Sequence, residues 1–214
     1  MIPLSDRITI IVGHAEALAD EAADARLFHL TDRLRLAASR LAIDKELVDA
    51  ALLSAARTRV VRAEKLVQLR AFNHRVEVEM AHRYSADEAA AFLATARVSP
   101  TATARFRLRR VGPEQEATMP DLMAGLRSAL AAVEAADDDH LGAVAADFVA
   151  RARCNGRAEK LRMELERAKA ELLAALPPGS AAALRVQRRV VRTRRPSPRP
   201  SWRPDSTVDG DPVE

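Results

Sequence analysis

The segment with the clearest binding chemistry lies near the C-terminus and is rich in arginine. Residues 185–204 contain eight arginines, four prolines and no acidic residue. A guanidinium group forms paired hydrogen bonds with a phosphate, so this composition favours contact with nucleic acid. The arginines predicted to bind phosphates are Arg185, Arg188, Arg189, Arg192, Arg194, Arg195, Arg199 and Arg203. A solvated tail, or a contact with an acidic protein surface, is the alternative interpretation.

The whole basic excess of the chain comes from this end. Residues 1–180 hold 26 Lys and Arg and 26 Asp and Glu, whereas residues 181–214 hold eight arginines and four acids. The net charge of +4 therefore belongs to the C-terminal segment. For the formally neutral remainder, only local patches could attract a polyanion.

A second group of arginines lies within residues 84–112. Ser85 and Glu88 have the spacing of a capping box, and Ser99 followed by Pro100 is a further signal for the start of a helix. The helix that follows would present hydroxyl and guanidinium groups, which recognise base edges and phosphates. The candidate nucleic-acid-binding residues here are Thr101, Thr103, Arg105, Arg107, Arg109 and Arg110.

This segment resembles the helix-turn-helix DNA-binding motif. The matching residues are Ser85, Glu88, Ala89, Ala90 and Leu93 in the first helix, with Val98 and Ser99 at the turn. The resemblance implies that the second helix enters the major groove. The stretches ARVSP and MPDLMAGLR are also faintly similar to the helical domain that precedes HNH nucleases in actinobacterial proteins, but the chain has no HNH motif. The alternative is an arginine-bearing helix within a bundle.

Two helical segments contain an Asp/Glu-x-x-His spacing that can ligate a metal. Glu79 with His82, and Asp137 with His140, have the spacing found in di-iron four-helix bundles. Asp137 is expected to cap a helix, and solvated surface residues are the simpler interpretation. The sequence also contains no phosphate-binding glycine loop and no nucleophile elbow. We therefore predict no enzyme activity, no cofactor and no metal.

Composition and periodicity predict an all-α fold, an elongated helical bundle with a disordered C-terminal tail. Ala and Leu dominate and aromatic residues make up 3%, which favours helices with closely packed axes. Long helices are predicted over residues 6–42 and 44–84, the second starting at Asp44. Shorter helices are predicted over 120–136, from 137–139 to a break at Asn155-Gly156, and over 157–176. In the second of these helices, Leu141, Val144 and Phe148 form the apolar stripe. A helix is expected to extend over residues 185–195 if something neutralises the arginines there.

The predicted organisation has three parts. Residues 1–84 form a long antiparallel helical pair, residues 85–178 form shorter helices with the possible helix-turn-helix, and residues 179–214 form the tail. No signal peptide or transmembrane helix is predicted. We expect a protein that is cytoplasmic or associated with nucleic acid, not secreted and without a membrane partner. Long amphipathic helices favour a homo-oligomer.

Two functions follow from these patterns. The first is a non-enzymatic DNA-binding protein, in which residues 84–112 read the groove and the tail binds phosphates. The second is a structural or assembly protein, such as a scaffold or a virion-associated component. In that case the helices would self-associate, and the basic tail would contact nucleic acid or an acidic partner.

Overall fold

The computed structural model describes residues 4–93 and 99–188, and in these ranges it contains seven α-helices and no strand. The all-α prediction is confirmed. The predicted tail from residue 189 onward lies outside the described residues. The helices are α1 (Leu4–Asp24), α2 (Phe28–Arg83), α3 (Ala86–Leu93), α4 (Pro100–Arg110), α5 (Pro113–Thr118), α6 (Pro120–Ala175) and α7 (Ala181–Arg188).

Two antiparallel helices of 56 residues each, α2 and α6, form the frame of the molecule. At 1.5 Å per residue each is about 84 Å long. Their contact follows a heptad pattern, in which Leu34, Leu41, Val48, Leu69 and Val76 recur at multiples of seven residues and are all buried. Burial of these residues in the seam stabilises both helices where the local helix propensity is low.

The first helix break is at residues 25–27 rather than at 42–44 as predicted. Arg26 has φ of 60°, a left-handed conformation that normally favours glycine. The Leu27 and Arg26 amides donate to the carbonyls of Ala22 and Ala23, at 2.8 and 2.9 Å, which is the Schellman arrangement of a helix end. The break at residues 25–27 contains no glycine or proline, so no local signal predicts it.

The predicted breaks within α6 are also wrong. Asp137 to Asp139 and Asn155-Gly156 lie inside one continuous helix. The low helix propensity of these Asp, Asn and Gly residues costs on the order of 1 kcal/mol per residue. Burial of Cys154 and Leu161 in the seam between α2 and α6 contributes more than this cost. Residues 120–175 are therefore one helix, not several shorter ones.

Each end of the frame has its own hydrophobic core. One core, the α1 lobe, joins α1 and α7 to the start of α2 and the end of α6. The other, the α4 lobe, joins α3 and α4 to the end of α2 and the start of α6. Both lobes therefore draw on both halves of the chain, and the division at residue 84 does not separate them. α7 shows that the region from residue 179 begins with a helix rather than with disorder.

Between the lobes, α2 and α6 run alone. We call residues 51–65 of α2 and 137–149 of α6 the stalk. No residue of either segment is buried. Across the stalk Thr58 Oγ1 lies 3.2 Å from His140 Nδ1, and Arg62 pairs with Asp137.

Candidate nucleic-acid interface

The two helices predicted to form the DNA-binding motif are both present, and their starts are capped as expected. The Ser85 amide donates to Glu88 Oε2 at 3.1 Å, and the Ser85 hydroxyl donates to the same oxygen at 2.7 Å. These bonds lower the pKa of Glu88. At α4, Ser99 Oγ accepts from the Ala102 amide at 3.3 Å, and Pro100 is the first helical residue. The predicted turn residue Val98 lies outside the described residues.

Arg107 departs most clearly from the prediction. The sequence places it on the exposed face of α4, but the structure leaves it 2% exposed. Its Nη1 donates to the backbone carbonyl of Asn73 at 2.7 Å, and its Nη2 donates to Glu77 Oε1 at 2.5 Å. Asn73 Nδ2 in turn donates to the carbonyl of Pro100 at 3.0 Å. Arg107 therefore ties α4 to α2 and is not available to a nucleic acid in this arrangement.

The other arginines of α4 differ in how strongly they are engaged. Arg105 binds Glu134 of α6 through Nε at 2.9 Å and Nη2 at 2.7 Å. Arg110 donates to the carbonyl of Ala91 and lies over the ring of Phe106, 4.2 Å from its centroid. Arg109 is exposed.

Arg105 and Arg109 are four residues apart, so both lie on the outer side of α4. Thr101 and Thr103 are half-buried, and the Thr101 hydroxyl lies 2.9 Å from that of Ser99. On the predicted face of α4, Arg109 and Arg105 are therefore both exposed, but Arg105 is paired with Glu134.

The arginine-rich segment begins on an anchored helix. Arg185 of α7 binds Glu21 of α1 through Nε at 2.9 Å and Nη2 at 3.1 Å, and Glu21 is 8% exposed. This hydrogen bond raises the pKa of Arg185. Arg188 is exposed at the end of α7. The remaining predicted residues, Arg189, Arg192, Arg194, Arg195, Arg199 and Arg203, lie outside the described residues.

The carboxylates that engage these arginines were not found by sequence reasoning. Glu21, Glu77 and Glu134 lie between 29 and 164 positions from their partners. No local spacing links such residues, because only the packing of the helices brings them together. A weak signal was available for Asn73, a polar residue within the apolar stripe of α2.

Three of the four side chains with metal-ligand spacing, Glu79, Asp137 and His140, are held in other contacts. Glu79 accepts from Arg83 at 2.7 Å, and this interaction lowers its pKa. Across residues 4–93 and 99–188, no group of three or more His, Cys, Asp or Glu residues is placed to hold a metal ion. Burial raises the pKa of the Cys154 thiol, with a further contribution from Asp44.

A cleft lies between the end of α2 and the start of α6. Its volume is about 370 Å³, and Arg75, Glu79, Arg83 and Asp121 are among its lining residues. Both signs of charge therefore face the cleft. It presents no nucleophile paired with a base, which is the arrangement that would point to catalysis.

Comparison of the chain with protein families, with curated proteins and with solved structures found no match. In the described part of the chain, no helix has both the length and the apolar character needed to cross a bilayer.

Proposed function

We propose that this protein binds nucleic acid through its arginine-rich C-terminal segment and does not catalyse a reaction. The observation that carries the proposal is the segregation of charge. Arginines of the helical body are commonly held in ion pairs, such as Arg127 with Glu116 and Arg157 with Asp44. Residues 185–204 contain no acid that could neutralise their arginines locally.

The anchoring of α7 supports this role. Glu21 pairs with Arg185, and α7 continues from there to Arg188. The part of the sequence that contains the arginines after Arg188 therefore begins at the end of α7. Seven arginines follow Arg185. If each contacts a phosphate, log K should fall with log salt concentration with a slope of about −6.

A salt series of duplex DNA binding tests the proposal in the full-length chain. We expect the slope to fall by about five when the six arginines after Arg188 are replaced by glutamine. Replacement of the same six by lysine keeps the charge and is the matched control, in which most of the slope should persist. Tight binding by the glutamine variant with an unchanged slope would refute the role of the segment.

Sequence-specific reading by α4 is the finer part of the proposal, and it draws on the helix-turn-helix resemblance. Arg109 is its candidate, because Arg107 is buried, Arg105 is paired with Glu134 and Arg110 is bound to the carbonyl of Ala91. Arg109→Ala should relax base preference by about 1–3 kcal/mol at one position of a selected site. An unchanged preference in a binding-site selection would leave α4 as a packing element only.

An assembly protein is the second candidate function. It is favoured by the large apolar side chains that the stalk exposes, of which Phe148 is 74% and Leu141 66% exposed. Self-association of full-length protein that persists in high salt and without DNA would favour this function over the first.

A further inference from the structure

The stalk has an inverted distribution of polarity. Its inner seam consists of small or polar side chains, among them Ala55, Thr58 and Arg62 on α2, which face Asp137 and His140 on α6. Its exposed positions carry the large apolar residues Leu52, Leu53, Val60, Val61, Leu141, Val144, Phe148 and Val149. The predicted apolar stripe at Leu141, Val144 and Phe148 is thus real, but it does not face α2.

Four of these residues occupy one side of the stalk and are named here the stalk patch: Leu52, Leu141, Val144 and Phe148. On α2, Leu52 belongs to the heptad row that also contains Thr31 and Asn73. Thr31 donates to the carbonyl of Ala19 in α1 at 3.3 Å, and Asn73 donates to Pro100 of α4. The same side of α2 is therefore covered by α1 at one end and by α4 at the other.

The corresponding heptad row on α6 is also covered by the two lobes at its ends and exposed in the stalk. Leu141 and Phe148 share the heptad row of Glu134 and Lys169. Glu134 binds Arg105 of α4, and Lys169 Nζ donates to the carbonyl of Gln187 in α7 at 3.4 Å. The stalk patch is thus a recess between the two lobes, continuous with faces that the protein itself covers elsewhere.

We propose that the stalk patch binds the stalk patch of a second copy of this chain. The four residues expose about 500 Å² per copy, so a symmetric contact would bury up to about 1,000 Å², which reaches the lower limit for specific protein interfaces. A twofold contact uses the same surface on both copies, and the apolar character of the patch makes it complementary to itself.

The dimensions of the recess fit the same occupant. Fifteen residues of α2 and thirteen of α6 separate the lobes, lengths of about 22 and 20 Å. Two helices side by side are about 20 Å wide, so a second stalk crossing at a steep angle fits between the lobes. Four helices then meet at the crossing, and their apolar residues form the core that the stalk lacks by itself.

The C-terminal segment is the competing occupant within the chain. Residues 189–204 are dominated by arginine and proline, with Val190, Val191 and Trp202 as their only large apolar residues. Docking them in an apolar recess would remove guanidinium groups from water without providing carboxylates. A second stalk brings one exposed arginine in the same row, Arg59, in place of the six arginines of residues 189–204. This inference does not depend on the proposed binding of nucleic acid.

Sedimentation velocity of the full-length chain tests the proposal, with protein from 1 to 100 µM in salt of moderate strength. We expect twice the chain mass of 23.4 kDa at the upper concentrations. Leu52→Glu combined with Phe148→Glu should weaken dimerisation at least ~30-fold. Both positions are about half exposed or more, so circular dichroism should show unchanged helix content.

Val61→Glu is the matched control. Val61 is 46% exposed and flanks the α2 seam on the side opposite Leu52. The control should remain dimeric. A wild-type chain that stays monomeric at 100 µM overturns the proposal, and this is also the result expected if the C-terminal segment fills the recess. A dimer that survives the Leu52 and Phe148 substitutions, or that is lost only with Val61→Glu, overturns it as well.

Discussion

Removal of the charge of Arg107 should cost less stability than removal of its partner Glu77, although Glu77 is the more exposed residue. The Arg107 side chain is 2% exposed and that of Glu77 is 44% exposed. Arg107 Nε is buried and has no hydrogen-bond partner among the described residues, so the guanidinium is only partly satisfied. The informative substitutions are Arg107→Met, which keeps the length of the side chain, and Glu77→Ala.

The expected magnitudes follow from what each substitution leaves behind. Arg107→Met leaves Glu77 able to turn to water, and Asn73 keeps its bond to Pro100. We expect a change of less than about 1.5 kcal/mol in the free energy of unfolding. Glu77→Ala leaves a buried guanidinium without its carboxylate, a loss of about 3–5 kcal/mol for fully buried pairs. Partial access of water at Glu77 reduces this to about 2 kcal/mol.

Urea unfolding followed by circular dichroism at pH 7 provides the measurement. The double variant, Glu77→Ala with Arg107→Met, should regain the stability of Arg107→Met alone, because no uncompensated charge remains. The reasoning is refuted if Arg107→Met is the more destabilising of the two single variants. It is refuted equally if the double variant is no more stable than Glu77→Ala.

Three further outcomes are expected. Gly125→Ala should destabilise the protein by about 2 kcal/mol in urea unfolding, because the added Cβ would overlap the ring of Phe72; unchanged stability would contradict the close contact. Gly142→Ala, the matched control, has no atom within 4 Å of its added Cβ and should stabilise α6 by about 0.5–1 kcal/mol. The pKa of Glu88 is lowered by Ser85, so its contribution to the start of α3 is present above its ordinary pKa of 4.5 and is lost as the pH falls through the lowered value. The protection factors of the α3 amides, which correct for the intrinsic pH dependence of exchange, should therefore fall below about pH 4.5, and a Ser85→Ala variant should show a smaller change.

Local signals predicted the parts of the candidate interface that depend on neighbouring residues. The capping box at Ser85 and Glu88 and the start of α4 at Ser99-Pro100 are confirmed, because each is completed within four residues. The stripe of α6 over Leu161, Leu165 and Leu172 is buried as expected. Helical periodicity is a property of the chain itself, and this is why the all-α fold could be predicted.

Helix ends inside the long helices were less predictable. Asp44 has the residue type of a helix cap, yet it lies within α2 and is 1% exposed. Its carboxylate oxygens lie 3.1 and 3.0 Å from Nε of Arg153 and Arg157 of α6. In the sequence alone, an aspartate that caps a helix looks the same as an aspartate that serves as a buried counter-ion. Only the contacts with the partner helix distinguish the two.

The sequence by itself determined that the chain is helical, where several helices begin, and that the net positive charge lies at the C-terminal end. The tertiary structure decided which arginines are free. It placed Glu77 beside Arg107 and Glu21 beside Arg185, and it left Phe148 exposed on the stalk. Helical periodicity identifies the apolar side of each helix, but not which neighbour covers it. That depends on contacts between residues far apart in the chain, which local spacing does not encode.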